Sequence, residues 1–240
     1  MKKKEVNMMN SYLPEFVGTT VLDTIGLVIP GIDSTLRDLM KLPSHISSLG
    51  ILSSRTGAAG QICAIDEAIK NTSCEIISID LPRDTKGWGG HGNYIVVGGR
   101  DVSDCKRAIE IALELTKKHA GEVYISSAGH LEFAYSASAS YALNMAFGTP
   151  VGKSFGFMAG SPAAIGLVMA DNALKSSAVE LVKYMTPSVG TSHSNEIIIC
   201  FCGDAEACKT AVLRGREVGL ELLKTMSDDE PKGPSVPYLM

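Results

Sequence analysis

Two loops hold the side chains with the clearest capacity for chemistry. The first, residues 82–93, reads PRDTKGWGGHGN, and the second, residues 187–195, reads PSVGTSHSN. Each combines a histidine, which can transfer a proton or bind a metal ion, with glycine, which lets the backbone approach a ligand closely. Candidate ligand-facing or channel-facing residues are therefore Lys86, Gly87, Trp88, Gly89, Gly90, His91, Gly92, Gly190, Thr191, Ser192, His193 and Ser194.

The sequence around these loops does not complete a catalytic or metal site. A glycine loop that holds phosphate leads into a helix, whereas the apolar residues after the first loop predict a strand. Neither histidine has a carboxylate or cysteine at a recognised metal-ligand spacing, and no HExxH pair occurs. We therefore expect no catalytic residues, no metal and no cofactor. Trp88 has two interpretations, a packing plug for its own loop or a ring that narrows an opening.

Both loops belong to an internal repeat. Matched residues with the same spacing are Asp66, Lys70, Glu75, Pro82 and, in the second copy, Asp171, Lys175, Glu180, Pro187. Such self-similarity predicts a tandem duplication. We expect an arm at 1–13, a first domain at 14–121, a second at 122–226 and a tail at 227–240. Lys70 and Lys175 are either solvated cations at helix ends or contacts that an assembly makes repeatedly.

The apolar patterns predict an α+β fold, in which each repeat combines a sheet of about four strands with two or three helices. In the first repeat we expect strands at 24–29, 48–54, 74–81 and 94–99 and helices near 34–42, 57–70 and 102–118. In the second we expect strands at 123–126, 131–135, 154–160, 179–185 and 196–202 and helices at 137–147, 163–176 and 205–226. The Pro-rich tail is expected to be extended or mobile.

Composition narrows the function classes. A net charge of −4 gives no reason to expect nucleic-acid binding. No stretch has the length and apolarity of a signal peptide or membrane span, so a soluble cytoplasmic protein is expected. The six cysteines have no CxxC spacing, and they are interpreted as small buried hydrophobes in a reducing compartment in preference to metal ligands or disulfides.

Longer segments resemble a known family. Residues 154–184, SFGFMAGSPAAIGLVMADNALKSSAVELVKY, and 195–212, NEIIICFCGDAEACKTAV, are similar to the bacterial microcompartment shell domain. EFVGTTVLDTIGLVIPGID at 15–33 and GILSSRTGAAG at 50–60 resemble the tandem, circularly permuted shell proteins of the propanediol-utilisation and ethanol-utilisation type. The resemblance covers about residues 14–226.

The resemblance implies two ferredoxin-like shell domains per chain. It also implies a homotrimer whose six domains form a pseudohexameric tile, and tiles that join other shell proteins around encapsulated enzymes in the cytoplasm. Both loops would face pores, and Lys70 and Lys175 would meet the neighbouring tile. Small polyols, alcohols or aldehydes would occupy the channels. The arginine often found near the tile edge has no clear counterpart, and neither loop has a cysteine for an iron–sulfur cluster.

The expected function is therefore a structural shell protein that also forms pores for small polar metabolites. The alternative is a trimeric α+β metabolite sensor, in which the same loops clamp a ligand at subunit clefts. An enzyme that depends on His91 or His193 comes third.

Overall fold

The computed structural model describes residues 14–82, 92–188 and 194–240, and its elements occur in the same order twice. The first repeat contains β1 (Phe16–Thr20), β2 (Thr24–Ile29), α1 (Ser34–Leu39), β3 (Ser48–Ser54), α2 (Ala59–Ile69), β4 (Glu75–Asp80), β5 (Asn93–Gly99) and α3 (Val102–His119). After a 3₁₀ turn at Ala120–Glu122, the second contains β6 (Val123–Ser126), β7 (Gly129–Ser136), α4 (Tyr141–Phe147), β8 (Ser154–Ser161), α5 (Ala163–Ser176), β9 (Val179–Met185), β10 (Ile197–Gly203) and α6 (Ala205–Lys224).

Each repeat forms its own antiparallel sheet. The strand orders are β1-β2-β3-β5-β4 and β6-β7-β8-β10-β9, so equivalent strands hold equivalent places. Ile95 of β5 pairs with Leu52 of β3, and Ile197 of β10 pairs with Gly160 of β8. The predicted α+β class is confirmed.

Both sheets have five strands, so the expectation of about four is wrong. The strand that was missed is β1, which pairs with β2 across a tight turn. Leu22 and Asp23 adopt positive φ angles of 61° and 50° in that turn. Because hairpin turns with positive φ usually carry Gly or Asn, the sequence VLD gives no turn signal.

Helices cover one face of each sheet. In the first repeat α3 packs across β1, β2, β3 and β5, with α2 beside it. In the second repeat α6 packs across β7, β8 and β10, with α5 beside it. The helix α5 lies so close to β8 that a Cβ at Gly160 would be 2.7 Å from the Cα of Gly166. Small residues thus let a helix approach the sheet, as the Gly- and Ala-rich sequence indicates.

The C-terminal tail was expected to be extended or mobile, and the second alternative is wrong because the tail is fixed against the fold. The buried carboxylate of Glu122 accepts hydrogen bonds from the amides of Tyr238 and Leu239, both at 2.7 Å. Arg216 pairs with Glu122 at 2.9 Å and donates to the carbonyl of Leu239 at 2.8 Å. The sequence could not reveal this contact because the paired residues are far apart along the chain.

Candidate functional site

Most of the predicted loop residues lie outside the described part of the chain. These are Lys86, Gly87, Trp88, Gly89, Gly90, His91, Gly190, Thr191, Ser192 and His193. Gly92 is described and buried, and its amide donates to the carbonyl of Pro82 at 2.9 Å. A side chain at Gly92 would collide with the carbonyl oxygen of Ser54. The first loop therefore needs glycine where it joins β5.

The matched asparagines fasten the ends of the two loops to equivalent places. Asn93 donates from Nδ2 to the carbonyl of Gly57 at 3.1 Å, just before α2. Asn195 accepts from the amide of Ala163 at 3.1 Å, at the start of α5. The neighbouring Ser194 is buried. Each loop end is thus tied to the first turn of a helix in its own repeat.

Two short glycine patterns resemble motifs of phosphate-binding loops and of hydrolases, and the structure explains both. Residues 87–92 have GxGxxG spacing, but Gly92 leads into β5 and not into a helix. Residues 152–156 have GxSxG spacing, but Ser154 begins strand β8 and donates to the carbonyl of Gly203 at 2.6 Å. A nucleophile elbow instead places its serine between a strand and a helix.

Lys70 and Lys175 form the same ion pair in both repeats. Lys70 Nζ lies 2.8 Å from Asp66 Oδ2, and Lys175 Nζ lies 2.7 Å from Asp171 Oδ2. The surroundings differ, because the Asp66 side chain is 3% exposed and the Asp171 side chain is 53% exposed. Burial raises the pKa of Asp66, which the hydrogen bond from Lys70 opposes. The duplicated sequence thus occupies two different environments.

Asp66 is buried because the second repeat covers helix α2. Helix α4 packs on α2 and on β4, and strand β7 also contacts α2. Leu143 and Phe147 of α4 join the same buried cluster as Ile62 and Ile65 of α2. The two repeats therefore share one apolar core on this side.

A buried carboxylate also holds the N-terminus of α2. Glu132 of β7 accepts from the amides of Ala58, Ala59 and Gly60 at 3.2, 2.9 and 3.4 Å. These donors have no partner within the helix, and the helix dipole favours an anion there. Burial nevertheless raises the pKa of Glu132 above its usual value. The second repeat thus binds the N-terminus of α2 and packs along its side.

The corresponding surface of the second repeat is uncovered. By the repeat spacing, Ile62 and Cys63 of α2 correspond to Leu167 and Val168 of α5, and Ile76 and Ile79 of β4 correspond to Leu181 and Tyr184 of β9. The four residues in the first repeat pack in the shared core, and Ile62 is 0% exposed. Their counterparts are 44–52% exposed: Leu167, Val168, Leu181 and Tyr184. We call these four residues the open surface.

Helix α1, the counterpart of α4, also has no cover. None of its residues is buried, and Leu36 and Leu39 are 45% and 75% exposed. One chain thus has an uncovered apolar surface in its second repeat and an uncovered helix, α1, in its first repeat. Within the chain, the equivalent surface of the first repeat is covered by α4, the counterpart of α1.

A cavity of about 340 Å³ lies where the two repeats and the tail meet. Asp66 Oδ1, His119 Nδ1 and Tyr238 Oη of its lining residues are buried and make no well-formed hydrogen bond within the described part of the chain. The backbone amides of Ala142 and Tyr135 nevertheless oppose the rise in the pKa of Asp66 and of Tyr238. His119 Nε2 lies 3.0 Å from Glu67 Oε1, and the hydrogen bond from His119 lowers the pKa of Glu67. Burial raises the pKa of Tyr238.

Sequence reasoning missed Glu132, His119 and Tyr238. All three act across the boundary between the repeats or with the tail, so no local spacing reveals them. Among the described residues no cluster of His, Cys, Asp and Glu could hold a metal ion. The helices in the described ranges include none that is long and apolar enough to span a bilayer.

Comparisons with known proteins agree with this architecture. The BMC domain profile matches residues 48–128 and 154–229. The chain is 52% identical over 227 residues to the bacterial microcompartment shell protein PduB of Citrobacter freundii, covering 95% of this chain and 84% of that one. A trimeric PduB crystal structure superposes with a TM-score of 0.88 at 46% identity, covering 94% of this chain and 100% of that one. The crystal structure of EtuB from Clostridium kluyveri superposes with a TM-score of 0.90 at 46% identity, covering 94% of this chain and 99% of that one.

Replacing Glu132 tests how much its hydrogen bonds to α2 stabilise the fold. Glu132→Ala leaves three buried amides without an acceptor, so we expect the free energy of unfolding to fall by about 2–4 kcal/mol. Glu132→Gln keeps an acceptor oxygen and should lose clearly less. Urea unfolding at one fixed protein concentration measures both variants. Equal stability of Glu132→Ala and the unaltered protein would contradict this role of Glu132.

Proposed function

The chain belongs to the bacterial microcompartment domain family, and from this premise we propose how it assembles into a shell and forms pores in it. It is a structural shell protein of the PduB type and not an enzyme. Its place is the shell of a bacterial microcompartment, within the cytoplasm. Its association is the homotrimer seen in related shell proteins. We propose the domain boundaries 14–121 and 122–226, with an arm at 1–13 and a tail at 227–240.

The observation that carries the assembly proposal is the unequal burial of equivalent residues. The open surface is apolar, and its counterparts in the first repeat are covered by α4. In the proposed trimer, helix α1 of the next protomer covers the open surface in the same way. Each such contact is heterologous, and three of them close a ring of six domains. Contacts within a chain then alternate with contacts between chains.

The pore proposal follows from this ring. Loops 82–93 and 187–195 leave equivalent edge strands, β4 and β9, and return to equivalent strands, β5 and β10. Rotation therefore brings three copies of each loop to similar radii. We propose that Lys86, His91, Thr191, Ser192 and His193 present polar groups to a passing metabolite, and that Trp88 and the glycines set the width.

The cavity between the repeats supports a ligand class. Its three buried polar atoms combine an acceptor at Asp66, a ring nitrogen at His119 and a hydroxyl at Tyr238. A small polyol or alcohol both donates and accepts hydrogen bonds, so its chemistry suits a cavity lined by these residues. We propose that molecules of this class bind here on their way through the subunit.

The trimer contact is tested by charges on α1. Leu36→Glu/Leu39→Glu should place carboxylates against the open surface of the next protomer and raise the concentration for half-association at least about 30-fold. Sedimentation equilibrium over a range of concentrations measures this effect. Val236→Glu is the control, because Val236 is exposed on the tail away from this surface. A fully trimeric α1 variant would contradict the proposed contact.

Shell assembly is tested at the edge lysines. Lys70→Ala/Lys175→Ala should keep the trimeric mass but form far fewer flat arrays in negative-stain images, because the edge contacts lose their cations. Lys117→Ala, which removes an exposed lysine from α3, is the control. If the double variant loses the trimer as well, the lysines act inside the ring and not at the edge. An unaltered protein that binds ligand but never forms arrays would favour the sensor.

The cavity is tested by removing one hydroxyl. Tyr238→Phe should weaken the binding of glycerol and 1,2-propanediol about 3- to 10-fold, because one hydrogen bond to the ligand is lost. Ligand-observed NMR titration of the trimer measures the change, and Tyr94→Phe is the matched control, because Tyr94 is the exposed residue of the otherwise buried β5. Unchanged affinity in Tyr238→Phe, or no saturable binding of either compound to the unaltered protein, would contradict the proposed site.

A further inference from the structure

Two free thiols meet outside the cavity described above, where Cys74 packs at the border of the shared apolar core. Sγ of Cys74 lies 3.8 Å from Sγ of Cys105. Cys74 directly precedes the edge strand β4, and Cys105 lies in the first turn of α3. A disulfide bond is about 2.0 Å long, so the sulfurs need to approach by about 1.8 Å. Such a movement requires side-chain rotations and a slight shift at the start of β4, which Cys74 directly precedes.

The two thiols differ in access and in acidity. Cys105 is 0% exposed, whereas Cys74 is half-buried and lines a second cavity of about 350 Å³ together with His45 and Arg100. The hydrogen bond between the two thiols lowers the pKa of the Cys74 thiol, although burial opposes this effect. The same hydrogen bond and burial raise the pKa of Cys105. Because the thiolate is the nucleophile, Cys74 is the reactive partner.

We propose that Cys74 and Cys105 form a redox pair, in which hydrogen peroxide oxidises Cys74 and Cys105 then closes a disulfide. The Cys74 thiolate attacks one peroxide oxygen, the O–O bond breaks, and the products are a sulfenic acid and hydroxide. The Cys105 sulfur attacks the sulfenic sulfur, forming the S–S bond and releasing the oxygen as water after proton transfer from the thiol. Overall, two thiols and one peroxide give one disulfide and two waters.

The second repeat lacks this pair. Asp204 and Cys208 correspond to Asp101 and Cys105, but Val179 stands where the first repeat has Cys74. Cys208 instead lies beside Ser154, whose Oγ is 3.5 Å from the sulfur. The duplicated position therefore provides an internal control, because Cys208 has the same place on its helix but β9 begins with a valine in place of the cysteine.

The disulfide fastens the edge strand to the helix. It closes a segment whose ends are 31 residues apart and which contains β4, the loop at 82–93 and β5. Closing a loop of this length stabilises the folded state, so the midpoint of thermal unfolding should rise by about 5 °C. Oxidation thereby fixes the strand that leads from Lys70 towards the proposed pore loop.

Peptide mapping of the native trimer tests the proposal. The protein is treated with hydrogen peroxide, alkylated with N-ethylmaleimide, and digested with trypsin without reductant. We expect the peptides 71–83 and 101–106 to appear linked, two hydrogen atoms lighter than their sum. Sulfoxide at the exposed Met226 confirms that the oxidant acted. Alkylated Cys74 and Cys105 in a sample with oxidised Met226 would overturn the proposal.

Serine variants separate the two roles. In Cys105→Ser, Cys74 should accumulate as a sulfenic acid that dimedone traps, and the rise in melting midpoint should disappear. In Cys74→Ser, Cys105 should remain a thiol. Cys208→Ser should form the link as the unaltered protein does. Loss of the link in Cys208→Ser, or a link between protomers on a non-reducing gel, would also overturn the proposal.

Discussion

Helix α2 is the element on which the rest of the structure depends, because it is packed by both repeats at once. Glu132 binds its N-terminal amides, α4 covers its side, and α3 lies along it within its own repeat. A helix held in this way fixes the angle between the two sheets. In the proposed trimer the chains associate through equivalent surfaces, so that angle also sets how the next protomer joins. Ring closure therefore follows from contacts inside one chain.

The difference between Asp66 and Asp171 shows what the isolated chain lacks. Identical sequence motifs fold into identical ion pairs, yet only one is buried, because only one has a neighbouring repeat over it. The apolar residues beside them follow the same rule. Exposure of a large apolar area that includes Leu167 and Leu181 to water is unfavourable. A covering helix removes these side chains from solvent. Burial thus accounts for both the fold of the chain and its association.

Much of the fold was predictable because its signals are local or repeated. Matched spacings predicted two copies, an amphipathic pattern predicted α3, and the Gly- and Ala-rich segments predicted helices that pack closely. Strand β1 was missed because Leu22 and Asp23 form a turn without a turn-forming sequence. Glu132, His119 and Tyr238 were missed because each acts on residues far along the chain or in the other repeat. Their roles are properties of the junction and not of either motif.

Duplication also permits differences that a ring of six identical domains cannot have. Tyr238 reaches the cavity between repeats of one chain, and the tail that carries it is fixed by Glu122 at that junction. A trimer has three such junctions, each within one chain. It also has three contacts between chains, which are formed by different residues. The paired thiols and the longer first loop likewise occur three times and not six. The proposed pore is thus lined by two alternating kinds of loop, so its polar groups follow threefold symmetry while the surrounding strands keep the approximate sixfold arrangement that tiling requires.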